Sequence, residues 1–239
     1  MKIEVWLDFT CPFCYIAKIR FERATEQFEF RDVVDVTYKS YLLNPLVTKT
    51  LSMDANQALA LHKDISVEEA KEIHHKIALM AFEDEISINF DQVQVTSTFH
   101  AHQLLKLISN KNEQKILSNA IYKAYFEEGK DISSIPLLTE LGKQVGLSSD
   151  LIKKTLTSNL KQTEIEFDND EAISYGITGV PFFVIDQTYS LSGAQKTEAF
   201  LEMLYRVYKR TVDDRRIRLS KTEYCVGDDC DYVPKIKKD

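Results

Sequence analysis

Two thiols separated by two residues, Cys11-Pro12-Phe13-Cys14, are the side chains best suited to do chemistry in this chain. They follow the apolar run Ile3-Glu4-Val5-Trp6-Leu7-Asp8-Phe9 and open a segment, Tyr15 to Phe30, that reads as a helix. A helix start carries unpaired backbone N–H groups and the positive end of the macrodipole, which favour a thiolate there, the form that attacks disulfides. Cys11, at the exposed helix end, is then expected to attack and form a mixed disulfide, and Cys14, one turn deeper, to resolve it. Pro12 fits the first turn, where a missing N–H has no intrahelical partner to lose. Phe13 and Tyr15 are expected on the rim. A zinc half-site is the weaker reading, because it needs two more ligands at suitable spacing.

The other two cysteines, Cys225 and Cys230, are separated by Val226-Gly227-Asp228-Asp229. They suit an auxiliary redox pair, a structural disulfide or free thiols, or a metal site using Asp228, Asp229 or Asp231; the neighbouring aspartates make them poorer nucleophiles than Cys11. Among the histidines, one of His74 and His75 is expected to face solvent, whereas His102 is expected to pack or hydrogen-bond rather than to act as an acid or base. No Ser/His/Asp set, phosphate-binding glycine loop or paired-carboxylate motif stands out.

The elements that must position these thiols follow from patterning. Strand one spans 2–9, a helix about 12–30 and an alternating strand 33–43, which outline a βαβ unit. From about residue 50 the texture turns helical. Ser66-Val67-Glu68-Glu69 has the form of a capping box, with Ile73, Ile77, Met80 and Ala81 on one face behind it. Further helices are expected near 97–108, 113–128, 135–145, 150–160 and 163–174. Strand signals return at Val180 to Asp186 and Tyr189 to Ser192, joined by the turn residues Asp186-Gln187-Thr188, and a helix closes at 196–208. The reading is an α/β, thioredoxin-like fold with a large all-helical insertion. Its parts are a discontinuous thioredoxin-like domain (1–48 and 176–212), an insertion (49–175) and a C-terminal extension (213–239).

Composition narrows the partners. The 239 residues are 44% hydrophobic and 28% charged, with a formal net charge of −7, as in an ordinary globular protein. An acidic balance argues against nucleic acid or an anionic membrane as the main partner. The sequence begins without an apolar signal-like region, and no run reaches the roughly 18 apolar residues of a spanning helix. A cytoplasmic location is therefore expected, where close cysteine pairs are more often redox-active or metal-binding than structural.

Five ordered motifs resemble the DsbA family of thiol-disulfide oxidoreductases, and more narrowly its cytoplasmic FrnE-like branch. They are Asp8-Phe9-x-Cys11-Pro12-Phe13-Cys14-Tyr15, Thr98-Phe99-x-Ala101-His102, Tyr125-Phe126-x-x-Gly129-x-Asp131-Ile132, Gly176-Ile177-x-Gly179-Val180-Pro181-Phe182-Phe183-Val184, and Ser192-Gly193-Ala194-Gln195. Ser97 and Gln103 depart from the pattern, where asparagine and arginine are usual. The resemblance implies a thioredoxin fold, a catalytic Cys11/Cys14 pair and disulfide exchange with protein or small-molecule thiols. Glutathione or another thiol would serve as co-substrate, a further partner would recycle the dithiol, and no resident cofactor or metal is implied. It also implies a cis Val180-Pro181 bond beside Cys11, with the Val180 backbone facing substrate; on local grounds alone, Pro181 could equally be an ordinary strand-start proline. Thr98 and His102 fall on the helix that lines the family's groove. Because Phe13 can neither donate a hydrogen bond nor carry charge, a weaker oxidant than DsbA is expected. The alternatives are a glutathione-dependent transferase or isomerase of the kappa-class or hydroxychromene-carboxylate isomerase type, in which serine replaces the first cysteine, and a redox-inactive peptide-binding module.

Overall fold

A computed structural model describes residues 1–222, with side chains through residue 212. Strand β1 (Lys2–Leu7) leads into helix α1 (Pro12–Gln27), and a 3-10 turn at Arg31–Val33 precedes β2 (Asp35–Ser40). Seven helices follow: α2 (Ala55–Lys63), α3 (Val67–Phe82), α4 (Phe99–Leu105), α5 (Lys111–Phe126), α6 (Ile135–Gln144), α7 (Ser149–Thr157) and α8 (Gln162–Ser174). The chain then returns through the hairpin β3 (Phe182–Ile185) and β4 (Tyr189–Ser192) to α9 (Thr197–Thr222).

The sheet has the order β2-β1-β3-β4. β1 pairs in parallel with β2 and antiparallel with β3, so that Val5 lies between Tyr38 and Phe183. Alternation along β1 divides the core. Ile3, Val5 and Leu7 join Phe21, Phe183 and Phe200 in the main cluster, while Trp6 packs with Ala172, Ile177 and Val184 under α8. On that second face the Trp6 indole N–H donates to the Asp168 carbonyl at 2.9 Å. Asp168 is itself held by the Ser40 N–H at 2.7 Å and by Lys106. The three-residue connection Asp186-Gln187-Thr188 places Asp186 and Gln187 at φ +47° and +54°, and the Thr188 N–H closes the turn on the Ile185 carbonyl at 3.1 Å.

Several expectations need correction. Strand two is shorter than 33–43, because Val33 is used in the 3-10 turn. The helix near 97–108 is limited to Phe99–Leu105. The segment 55–63, not expected as a helix, is one, started by a capping box in which the Asp54 carboxylate accepts from the Gln57 N–H at 2.8 Å. The closing helix continues past 208 to Thr222, so residues 213–222 of the expected extension prolong α9. The pair Cys225/Cys230 lies outside the described residues.

Two buried ionic clusters fix α1, the helix that carries the thiols. Arg20 donates to Asp84 at 2.6 Å and to the Ala194 carbonyl at 3.0 Å, and Arg23 reaches the same carboxylate at 2.6 Å. Lys18, 1% exposed, donates to Glu22 and to Asn119 of α5, the latter at 2.6 Å. Burial outweighs the attraction of Glu22 and lowers the Lys18 pKa to about 8.

Candidate active site

Cys11 is the N-cap residue of α1, as its place between strand and helix predicts, with Pro12 in the first turn. Its sulfur accepts from the Cys14 backbone N–H at 3.3 Å, so an unpaired helix-start donor points at it. The Cys11 backbone N–H is in turn held by the Asp8 carbonyl at 3.1 Å. Opposite the helix, the Val180–Pro181 bond is cis, and the Cys11 thiol lies 3.5 Å from the Val180 carbonyl oxygen. The loop between α8 and β3 thus brings residues far apart in sequence against one sulfur.

Exposure differs from the expected pattern. Cys11 is 5% exposed rather than open at the helix end, since the Val180 backbone and the core residues around it cover the sulfur. Phe13 is on the rim, 36% exposed, but Tyr15 is not. The Tyr15 ring stacks on Tyr122 at 5.0 Å and its hydroxyl donates to Glu127 at 2.8 Å, which buries it against α5. Cys14 is 1% exposed. Burial, the Cys11 sulfur and the Asp8 carboxylate all push its thiol up, and the Asp8 backbone hydrogen bond to its sulfur offsets this in part.

Asp8, the first residue of the motif that holds the thiols, is a further residue of the site that the sequence reading does not single out. It is 1% exposed, its carboxylate accepting from the Thr10 N–H at 3.2 Å and the Leu43 N–H at 2.7 Å. The Tyr122 hydroxyl donates to its carbonyl at 3.1 Å, sharing that oxygen with the Cys11 N–H. A carboxylate ending an apolar strand three residues before the first thiol was the available signal. His102, from α4, stands 3.8 Å from Asp8 Oδ1 through its Nε2, and its ring leans on Phe9 at a centroid distance of 4.9 Å. It is 1% exposed. Thr98 lies one turn earlier on the same chain segment and lines a cleft of about 700 Å³ with Tyr41, Lys49, His100, Asn169 and Ile173. Cys11, Cys14, Val180 and Pro181 are not among the residues that line it, although Tyr41, which is, packs with Val180 against the cluster under α8. Gln103, fully buried, bonds Asn159 and the Lys161 N–H and so serves the junction between α7 and α8 rather than the thiols. Among the described residues, no group of three or more His, Cys, Asp and Glu side chains is arranged to hold a metal ion, and no helix is long and apolar enough to cross a membrane.

A thiol pair opening the first helix of a thioredoxin-like fold, faced by a cis-proline and enclosed by an inserted helical layer, defines the DsbA-like class. The chain belongs to the family described as DSBA-like thioredoxin domain, which matches residues 2–205. In sequence it is similar to the protein YwbO of Bacillus subtilis (strain 168), at 25% identity over 205 residues covering 84% of this chain and 94% of that one. In structure it is similar to a "probable DsbA oxidoreductase", SCO1869, of Streptomyces coelicolor, with a TM-score of 0.82 and 31% identity over 87% of this chain and 90% of the other. The cytosolic disulfide reductase DsbM of Pseudomonas aeruginosa, solved with GSH, shares the fold at a TM-score of 0.63 and 15% identity, covering 87% of this chain and 100% of that one.

Proposed function

We propose that the protein is a dithiol-disulfide oxidoreductase in which Cys11 attacks a substrate disulfide and Cys14 resolves the mixed disulfide. The observation that carries this is the asymmetry of the pair. The Cys11 sulfur sits at the start of α1, where it receives the Cys14 N–H and faces the Val180 carbonyl across the cis-proline, whereas Cys14 lies behind it and burial holds its thiol protonated. The Val180 carbonyl beside Cys11 is an acceptor for an extended substrate segment that lies across the cis-proline. Protein disulfides and small thiols are both substrates in this reading. A glutathione-like thiol fits as co-substrate, as GSH is bound in the structure of DsbM, whose fold this chain shares. The cytoplasm is the proposed location, supported by the use of only four cysteines in 239 residues.

Insulin reduction, or refolding of scrambled ribonuclease, tests the reading. Wild type is active and Cys11→Ser inactive; a wild type without activity in either assay refutes it and leaves a binding module or a transferase.

A further inference from the structure

The turn that leaves β4, Ser192-Gly193-Ala194-Gln195, joins the two sides of the thiol site. Its Gly193 N–H donates to the Pro181 carbonyl at 2.9 Å, one rung beyond the Phe182–Ser192 pair of the β3–β4 ladder, and so holds the cis-proline from behind. Gly193 takes φ +76°, a conformation that favours glycine, and the chain then turns the Ala194 carbonyl toward α1. There Arg20 donates to it through Nη1 at 3.0 Å. Within the turn, the Gln195 N–H donates to the Gly193 carbonyl at 2.9 Å and its side-chain amide to the Ser192 carbonyl at 2.7 Å.

Arg20 is 7% exposed, and so is Asp84, whose Oδ2 accepts from Arg20 Nε at 2.6 Å. Asp84 lies in the turn after α3, where its N–H donates to the Ala81 carbonyl at 2.9 Å. Arg23 binds the other carboxylate oxygen of Asp84 at 2.6 Å and its carbonyl at 2.9 Å, while the exposed Glu83 stands 3.8 Å from Arg20. Arg23 alone would balance the Asp84 charge. The second guanidinium adds what an ammonium cannot, because its planar fork spans two acceptors at once, a carboxylate of the insertion and a backbone carbonyl of the turn after β4. The helix that opens at Cys11 therefore also carries a clamp on the strand that faces Cys11.

We infer that Arg20 and Asp84 are positioning residues that clamp the turn after β4, and through Gly193 the cis-proline strand, so that the Val180 carbonyl stays set to pair with the main chain of an extended substrate. The inference rests on the thiol-disulfide reading above. The path is continuous. Asp84 fixes the guanidinium, the guanidinium holds the Ala194 carbonyl, the Gly193 N–H holds the Pro181 carbonyl, and the Val180 carbonyl stands 3.5 Å from the Cys11 sulfur. A polypeptide disulfide brings backbone N–H groups that pair with that carbonyl. A small aromatic disulfide brings none, so loosening the clamp acts on polypeptide substrates selectively.

The test uses the full-length reduced protein and two disulfides with the same coloured leaving group: 5,5′-dithiobis-(2-nitrobenzoate), and an extended peptide whose single cysteine carries thionitrobenzoate. The Cys11-dependent rate is the difference from Cys11→Ser in the same background. Arg20→Lys keeps a charge against Asp84 but cannot span both acceptors, and it is expected to lower the ratio of the peptide rate to the small-disulfide rate by about tenfold, the lower end for a lost hydrogen bond to a charged group. A ratio within about threefold of wild type overturns the inference, whether both rates are kept or both fall together as general destabilisation would make them. Asp84→Asn keeps the shape, removes the charge that fixes the guanidinium and is expected to move the ratio in the same direction; it decides the matter if Arg20→Lys does not fold, as read by Trp6 fluorescence in urea. Loss of folding in both variants would assign the pair to the fold alone and overturn the inference as well. No Cys11-dependent release from either disulfide in wild type would refute the oxidoreductase reading instead, so the two failures are distinguishable.

Discussion

Lys18 offers the sharpest test of how the thiol-bearing helix is held. Its ammonium is enclosed by Glu22, the Asn119 side chain at 2.6 Å and the Lys115 carbonyl at 3.5 Å, with the Tyr38 ring 5.4 Å away. Burial lowers its pKa from 10.5 to about 8 despite the Glu22 carboxylate. In the unfolded chain the lysine keeps its proton up to about 10.5, so between these two values the unfolded state binds more protons than the folded one. Stability therefore rises with pH across that window. At about 1.4 kcal/mol per pH unit, the whole interval from about 8 to 10.5 amounts to about 3 kcal/mol. Opposing groups act higher up. The raised thiol of Cys14 costs stability as pH climbs past 9.0, and the raised hydroxyls of Tyr15, Tyr38, Tyr122 and Tyr125 do so past 10.0. A comparison with Lys18→Met cancels these, because both proteins share them. Urea unfolding followed by the fluorescence of Trp6, the only tryptophan and fully buried, reads the difference. Between pH ~7.5 and ~9.5 wild type should gain about 2 kcal/mol over Lys18→Met, and a difference flat to within about 0.5 kcal/mol would falsify the account of Lys18 as a charged group forced into the core.

Three further outcomes are expected. Cys14→Ser should accumulate a mixed disulfide on Cys11 with a substrate disulfide, visible as an intact-mass increment, whereas Cys11→Ser should show none; an equal yield from both variants would reverse the assigned roles. The Cys11/Cys14 couple should lie below the DsbA value of about −120 mV when equilibrated with a thiol buffer, because Phe13 offers the thiolate no hydrogen bond or charge. Phe13→His should raise it, and a wild-type value at or above that of DsbA would contradict the argument. At Gly129, with φ +62°, an added Cβ would stand 2.8 Å from Gln92 Cβ and 2.9 Å from the Gln92 carbonyl oxygen. Gly129→Ala should cost about 1–3 kcal/mol in urea unfolding, and an unchanged midpoint would show that the loop yields.

What could be read from the chain alone was what is set locally. The strand, thiol pair and helix start are contiguous, and the Ser66 capping box closes as its spacing predicts, with the Glu69 carboxylate on the Ser66 N–H at 2.9 Å. Helix α2 carried the same kind of signal in Asp54-x-x-Gln57, without a strong apolar stripe behind it to draw attention. The extension of α9 was hidden for a related reason: beyond Tyr208 the sequence turns to Lys, Arg and Asp, which reads as surface although Lys and Arg are good helix formers. Burial of Asp8 and Tyr15 could not be read locally. The first depends on Leu43 and His102, the second on Tyr122 and Glu127, and only the folded arrangement of α4, α5 and the segment after β2 brings these partners in.

That dependence changes how the insertion is understood. Helix α5 contributes the Tyr122 hydroxyl to the same Asp8 carbonyl that holds the Cys11 N–H, so an inserted residue helps to fix the loop that aims the thiol. One turn earlier on α5, Asn119 accepts from Lys18 of α1, on the helix that begins at Cys11. Helix α4 adds His102 behind Asp8. The strand, the thiol helix and two inserted helices are therefore bound at three points within a few residues of the reacting sulfurs, each through a buried polar contact that is costly to break. Displacing the insertion would uncover Asp8 and loosen the Cys11 loop, so in the proposed reading the inserted helices form one wall of the thiol site, and substitutions on their inner faces are expected to act on its chemistry as well as those in the Cys-Pro-Phe-Cys motif.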